Sequence, residues 1–201
     1  MNATNSPLLD DIVDEGLDVI FVGINPGLQS AMRGHSFATP GNRMWTALHR
    51  SGFTPFRLRP EQERDLLHLG LGLTTIVRTP TVRASDLTRD AYLRGGEDLL
   101  RRMEALRPTW LAFLGVTGYR TAFDVRDARV GPQTEVLGES QVWVLPNPSG
   151  LNAHYPPVAL AAEFARLRVA AHLPDRAAAT PPTRSRASSR QAPRIEMKAN
   201  Q

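Results

Sequence analysis

The stretch DVIFVGINPG, Asp18 to Gly27, decides how this chain is read. Val19 to Val22 are four consecutive apolar residues, three of them β-branched, which predicts a strand covered on both faces and hence parallel to its neighbours. Gly23-Ile24-Asn25-Pro26-Gly27 then ends it. Pro26 fixes one dihedral and Gly27 permits close backbone approach, so the turn holds the Asn25 carboxamide at a strand tip. Three further runs share this continuously apolar character: LTTIV (Leu73 to Val77), TWLAFLG (Thr109 to Gly115) and QVWVLP (Gln141 to Pro146). Helical patterns lie between them. Asn42 caps a helix through Arg50, Pro60 opens one to His68, and Thr88 caps a long one to Leu106 that Gly95-Gly96 weakens. Pro156-Pro157 open a last helix through His172. This alternation predicts a three-layer α/β/α fold with a central, mostly parallel four-stranded sheet.

In such sheets ligands bind beyond the carboxyl ends of the strands. Two segments leave that edge with the same design. The first is Gly23 to Gly27; the second is Pro146-Asn147-Pro148-Ser149-Gly150-Leu151-Asn152. Each sets an Asn before a Pro, with Gly following. Alone, each reads as a plain turn; together they aim Asn25 and Asn147 at one crevice.

Composition narrows the chemistry. The chain has 201 residues, 41% of them hydrophobic and 22% charged, enough for one domain with a core. It has no cysteine, which excludes disulfides, thiol nucleophiles, iron–sulfur clusters and thiolate zinc sites, and suits a reducing compartment. No apolar run reaches the ~20 residues of a membrane helix, so a soluble, cytoplasmic protein with no membrane partner is expected. The net charge of +4 arises in the last 28 residues, Pro174 to Gln201, which hold six basic and two acidic residues. That segment is Ala-, Pro-, Ser- and Arg-rich and predicts a basic disordered tail. Residues 1–10 read as a flexible N-terminus, leaving a single domain over 11–173. His35, His49, His68, His154 and His172 show no metal spacing, although His35 and His154 flank the two motifs within reach of a phosphate. Trp45, Trp110 and Trp143 read as packing. Neither a metal nor a cofactor is expected.

The two motifs, joined by SFATPGNRMW (Ser36 to Trp45) and by RTPTVRAS (Arg78 to Ser85), resemble those of the mismatch-specific uracil/thymine-DNA glycosylases, a branch of the uracil-DNA glycosylase superfamily. The resemblance spans Asp18 to Leu173. It implies a monomeric enzyme that rotates a uracil, or another damaged or mismatched pyrimidine such as etheno-cytosine, out of double-stranded DNA and cleaves its N-glycosidic bond. Asn25 is then the residue that holds the attacking water. Phe37 stacks on the base, with Ile24, Ser30 and Asn147 contacting it. Gly27 stands where uracil-restricted relatives carry a bulky aromatic, which implies room for larger pyrimidines. Gly150, Leu151 and Asn152 form the wedge that fills the duplex.

Two positions depart from that pattern: Ala153 follows the wedge where some relatives have arginine, and Thr75 stands where some have lysine. An amide is no base at neutral pH, so Asp86 or Asp90, leaving the same sheet edge, is expected to assist; the alternative is that each caps a turn or helix start. Two other classes stay open: a non-catalytic damage-binding module with the same pocket, and a hydrolase of free nucleosides. The balanced charge of residues 1–173 favours the latter, and the wedge speaks against it.

Overall fold

The computed structural model describes residues 8–178. Its strands are β1 (Val19–Gly23), β2 (Leu71–Thr75), β3 (Trp110–Leu114), β4 (Gly131–Leu137) and β5 (Ser140–Leu145). They form one sheet in the order β2-β1-β3-β5-β4. The first four of that order are parallel and β4 runs antiparallel to β5. The helices are α1 (Leu28–Arg33), α2 (Met44–Arg50), α3 (Arg89–Leu106), α4 (Val116–Phe123) and α5 (Pro157–Ala170), with 3₁₀ helices at Pro60–Leu69 and Ala84–Asp86.

Side-chain alternation along the strands builds the three layers. Val19, Phe21, Leu71, Leu73, Ala112 and Trp143 face one core with α2, α5 and the Pro60–Leu69 helix. Ile20, Val22, Leu111, Phe113, Val142 and Val144 face the other with α3 and α4. Both faces being covered, the strands read as unbroken apolar runs, which is why three of them were predictable almost to the residue.

The sheet has five strands, not four. The added strand, β4, is an edge whose residues are largely exposed (GPQTEVL), so it lacks the apolar run that betrays a central strand. It closes as a hairpin through Gly138, at φ 61°. The second strand starts two residues earlier than LTTIV implies: Ile76 and Val77 are buried but lie in the segment that leaves the sheet. α3 begins as expected, its Ala91 N–H donating to Thr88 Oγ1 at 3.1 Å. It passes unbroken through Gly95 and Gly96, because the glycines admit neighbours: a Cβ would lie 2.6 Å from the Ile76 oxygen at Gly95 and 2.8 Å from the Ala122 oxygen at Gly96.

The ordered unit also reaches past the expected end of 11–173. Within that span, the chain crosses the outer edge of β2 at Ile12, which exchanges backbone hydrogen bonds of 2.9 and 2.8 Å with Leu73. After it, Arg176 donates through its backbone N–H to Gly52 O at 2.8 Å and through its guanidinium to Leu69 O at 3.1 Å. One half-buried cation thus carries the chain past Leu173. The rest of the expected tail, 179–201, lies outside the described residues, as does 1–7. Among the described residues no helix is long and apolar enough to cross a membrane.

Candidate active site

A cavity of about 210 Å³ opens at the carboxyl edge of the sheet, lined by Gly23 to Gly27, Ser30, Phe37, Thr75, Thr81 and Asn147 among others. A dry cavity of about 150 Å³ accepts a benzene ring, so this one has room for a flat pyrimidine.

Asn25 is wired in one sense only. Its Nδ2 donates to Thr81 Oγ1 at 2.7 Å, to Thr79 O at 3.0 Å and to Pro26 O at 3.2 Å. Two of these partners are carbonyls, which only an NH₂ can serve, so the amide orientation is fixed. The Thr81 hydroxyl gives its proton to Arg83 O at 2.8 Å and therefore accepts from Asn25. What Asn25 offers the cavity is its Oδ1, an acceptor. The loop supplying these partners is itself bridged to the first motif, with Thr81 N–H donating to Pro26 O at 3.2 Å and Leu28 N–H to Thr81 O at 3.1 Å.

Asn147 is wired the other way. Its Oδ1 accepts from Ser149 N–H at 2.9 Å, closing an Asx turn, and its backbone oxygen accepts from Asn152 Nδ2 at 3.0 Å. Its Nδ2 is left as a donor toward the cavity. Gly115 packs against this carboxamide: its φ of 117° favours glycine, and a Cβ there would make an ordinary contact, 3.5 Å from Asn147 Nδ2. One motif thus presents an acceptor and the other a donor, although the two look alike in sequence.

Phe37 lines the same cavity, with its ring tip 3.4 Å from where a Cβ on Gly23 would stand. Its backbone is left-handed, φ 54°, uncommon for an aromatic residue. Ile24 and Gly27 line the cavity as expected. A Cβ at Gly27 would meet only Thr39 Oγ1, at 3.5 Å, so the space beside it is open. Ser30 also lines the cavity, but its buried hydroxyl accepts from Ala38 N–H at 3.1 Å and lies 3.3 Å from Thr39 Oγ1, so it shapes the Phe37 loop.

The wedge residues stand outside the cavity. Leu151 is 95% exposed on a loop held by Arg43. That guanidinium donates to Ser149 O at 2.5 Å, Asn152 O at 3.0 Å and Tyr155 O at 2.8 Å. Gly150 has to be glycine, since a Cβ would stand 2.5 Å from Gly41 O.

Asp86 and Asp90 do not line the cavity. Asp86 accepts from Arg83 N–H at 2.9 Å, closing the short 3₁₀ turn, and Asp90 pairs with Arg94 at 2.6 Å on an exposed helix face. Both take the local capping and helix roles that compete with catalysis at such positions. The carboxylates that do line the cavity are Asp10, the last residue of the segment read as a loose end, and Asp11, the first of the expected domain. Asp11 accepts from Thr74 Oγ1 at 2.7 Å and Arg102 Nη1 at 2.8 Å, fastening that segment along β2. Their sequence neighbourhood carries no motif; only the strand pairing of Ile12 brings them here. Thr75 lines the cavity as a neutral residue. Behind Ala84, which lines the cavity, buried Tyr92 donates to Ala84 O at 3.3 Å, and burial raises its hydroxyl above the usual phenol value, which keeps it a donor. His35 turns to Glu63 rather than outward.

A cavity at the strand tips, lined by an aromatic ring and two carboxamides and with an exposed apolar loop beyond it, marks the candidate site of this α/β protein. The sequence profile of the uracil DNA glycosylase superfamily matches residues 11–168, and the chain belongs to that family. Its members act on DNA as glycosylases, hydrolases of base excision repair. Among solved structures, the solution NMR structure of a candidate uracil DNA glycosylase from Methanosarcina acetivorans is similar in fold, with a TM-score of 0.54 at 16% identity over 81% of this chain and 98% of that one.

Proposed function

We propose that this chain is a monofunctional glycosylase of the mismatch-specific branch, acting as a monomer on duplex DNA. It rotates a uracil, an etheno-cytosine or a thymine opposite guanine into the cavity, hydrolyses the N-glycosidic bond and leaves an abasic site. The observation that carries this reading is the opposed wiring of the two carboxamides about Phe37.

The base stacks on Phe37. Asn25 Oδ1 accepts a hydrogen bond from a water and turns its lone pair toward the anomeric carbon. As the bond from that carbon to the base nitrogen breaks, its electron pair leaves with the base and the sugar becomes oxocarbenium-like. Asn147 Nδ2 donates to the base where the negative charge grows, a fixed dipole that needs no reorganisation. Water adds to the sugar and loses its proton to solvent, and solvent protonates the base. No step requires a side-chain base, in keeping with the local roles of Asp86 and Asp90. Strand cleavage through an imine would need an amine nucleophile; no described side chain carries one, the single lysine being Lys198. The open space at Gly27 supports acceptance of pyrimidines larger than uracil, and exposed Leu151 supports a duplex substrate over a free nucleoside.

The test is incubation with duplexes bearing U, T or etheno-C opposite G, followed by alkali. Breaks at the lesion only after alkali are expected. Breaks without alkali would mean a lyase, intact strands with tight lesion binding a damage sensor, and release from free nucleosides alone a nucleoside hydrolase.

A further inference from the structure

We propose that Glu63 is a positioning residue for base stacking: from the Pro60–Leu69 helix it holds the Phe37 loop in the conformation that presents the ring. The proposal rests on the functional reading above and extends it to a residue outside the cavity lining.

Glu63 is only 7% exposed, yet both its carboxylate oxygens are engaged by the same short loop. Oε2 accepts from Ser36 N–H at 2.8 Å and Oε1 lies 3.0 Å from His35 Nδ1. On the far side of Phe37, Ala38 N–H donates to Ser30 Oγ at 3.1 Å and Ala38 O accepts from Arg33 at 2.7 Å. Phe37 is therefore pinned through the residue before it and the residue after it. Between the pins it takes φ 54°, a conformation that a β-carbon disfavours and that persists only where the surroundings impose it.

The chemistry of the pin fits this role. A buried carboxylate is a poor stabiliser, since an apolar residue of like volume commonly serves the fold as well. Its acceptors, however, are stronger than neutral ones and directional. Here both point at the loop that carries the ring. Released from Glu63, the loop keeps its Ser30 pin but loses the constraint on Ser36, so the ring no longer stands at one height and tilt above Gly23.

The experiment is a double-mutant cycle between Glu63→Leu and Phe37→Ala, read by single-turnover cleavage of a G:U duplex and by affinity for that duplex and its abasic counterpart. Glu63→Leu retains the volume and removes both acceptors; its melting curve checks the fold. It is expected to slow cleavage about tenfold or more, the scale of a misplaced reacting group. It should weaken binding of the uracil duplex and leave abasic-duplex affinity unchanged, because no base is then stacked. In the Phe37→Ala background the same change should cost almost nothing. Equal losses in both backgrounds, or weaker abasic binding to match, would make Glu63 a general structural residue and overturn the proposal. Glu63→Asp, one methylene short of the loop, is the second variant should the first not fold; it too should lose rate only when Phe37 is present, and an unchanged rate overturns the proposal. Wild-type protein that leaves every duplex intact removes the glycosylase reading itself, a failure distinct from an additive cycle.

Discussion

Asn25→Ala removes the acceptor offered to water together with three donations, two of which tie the first motif to the Thr79–Thr81 loop. Single-turnover cleavage should fall ~10- to 100-fold, about 1.4 to 2.7 kcal/mol, while duplex affinity stays near wild type, as for an interaction used only in the transition state. A near-normal rate would remove Asn25 from the chemistry. Asn147→Asp is the sharper probe of the second carboxamide. The aspartate still closes the Asx turn with Ser149 N–H, so the loop keeps its shape, but a donor becomes an anion beside a leaving base that is itself becoming anionic. Its rate should fall further than that of Asn147→Ala, and equal rates would mean that the donor faces no developing charge. Gly27→Tyr asks about breadth. Gly27 sits at φ −70°, which any residue adopts, and a Cβ has only Thr39 Oγ1 within 4 Å, so the variant should fold. The ring should then block etheno-cytosine and spare uracil; unchanged etheno-cytosine cleavage would place the pocket's open side elsewhere.

At the scale of elements, the wedge loop is rigid because Arg43 spans three of its carbonyls. Arg43→Lys cannot span them with one ammonium, so it should mimic Leu151→Ala: both impair lesion flipping at any salt, by ~1–3 kcal/mol, the size of one base-stacking interaction. If only Leu151→Ala has an effect, the loop keeps its shape without Arg43. Arg43 belongs to the GNRMW segment, yet its role is invisible there, since its partners lie more than a hundred residues on. The same divide runs through the whole site. β1, β3 and β5 were legible because a doubly covered strand must be apolar throughout, and the Asn25 and Asn147 tips followed from their Pro and Gly neighbours. β4 was not, being a polar edge. Nor was the opposed wiring of the two amides, which depends on Thr81 in one case and on a local turn in the other. Glu63, Asp10 and Asp11 reach the site through burial and strand pairing, which no local motif encodes.

For the whole molecule, two truncations separate fold from affinity. The 23 residues after Ala178 carry five basic residues and one acidic residue, a net of +4. Stopping the chain after Ala178 should leave the melting temperature unchanged and weaken binding to damaged and undamaged duplex alike. The salt dependence should flatten by ~0.9 for each phosphate that the shortened chain no longer neutralises, while lesion preference and single-turnover chemistry persist. Stopping after Leu173 removes Arg176 as well, and with it the bonds to Gly52 O and Leu69 O that join the end of the chain to the segments around α2 and the Pro60–Leu69 helix. Asp175, 3.4 Å from Arg168, goes too. That shorter form should lose a further ~1–3 kcal/mol of stability, the cost of stranding buried acceptors, at the same net charge, since Asp175 and Arg176 cancel. The two chains should therefore bind undamaged duplex with one salt slope and melt at different temperatures. Equal melting temperatures would put the end of the folded unit at Leu173, and a loss of lesion preference in the longer form would make the basic segment part of the site.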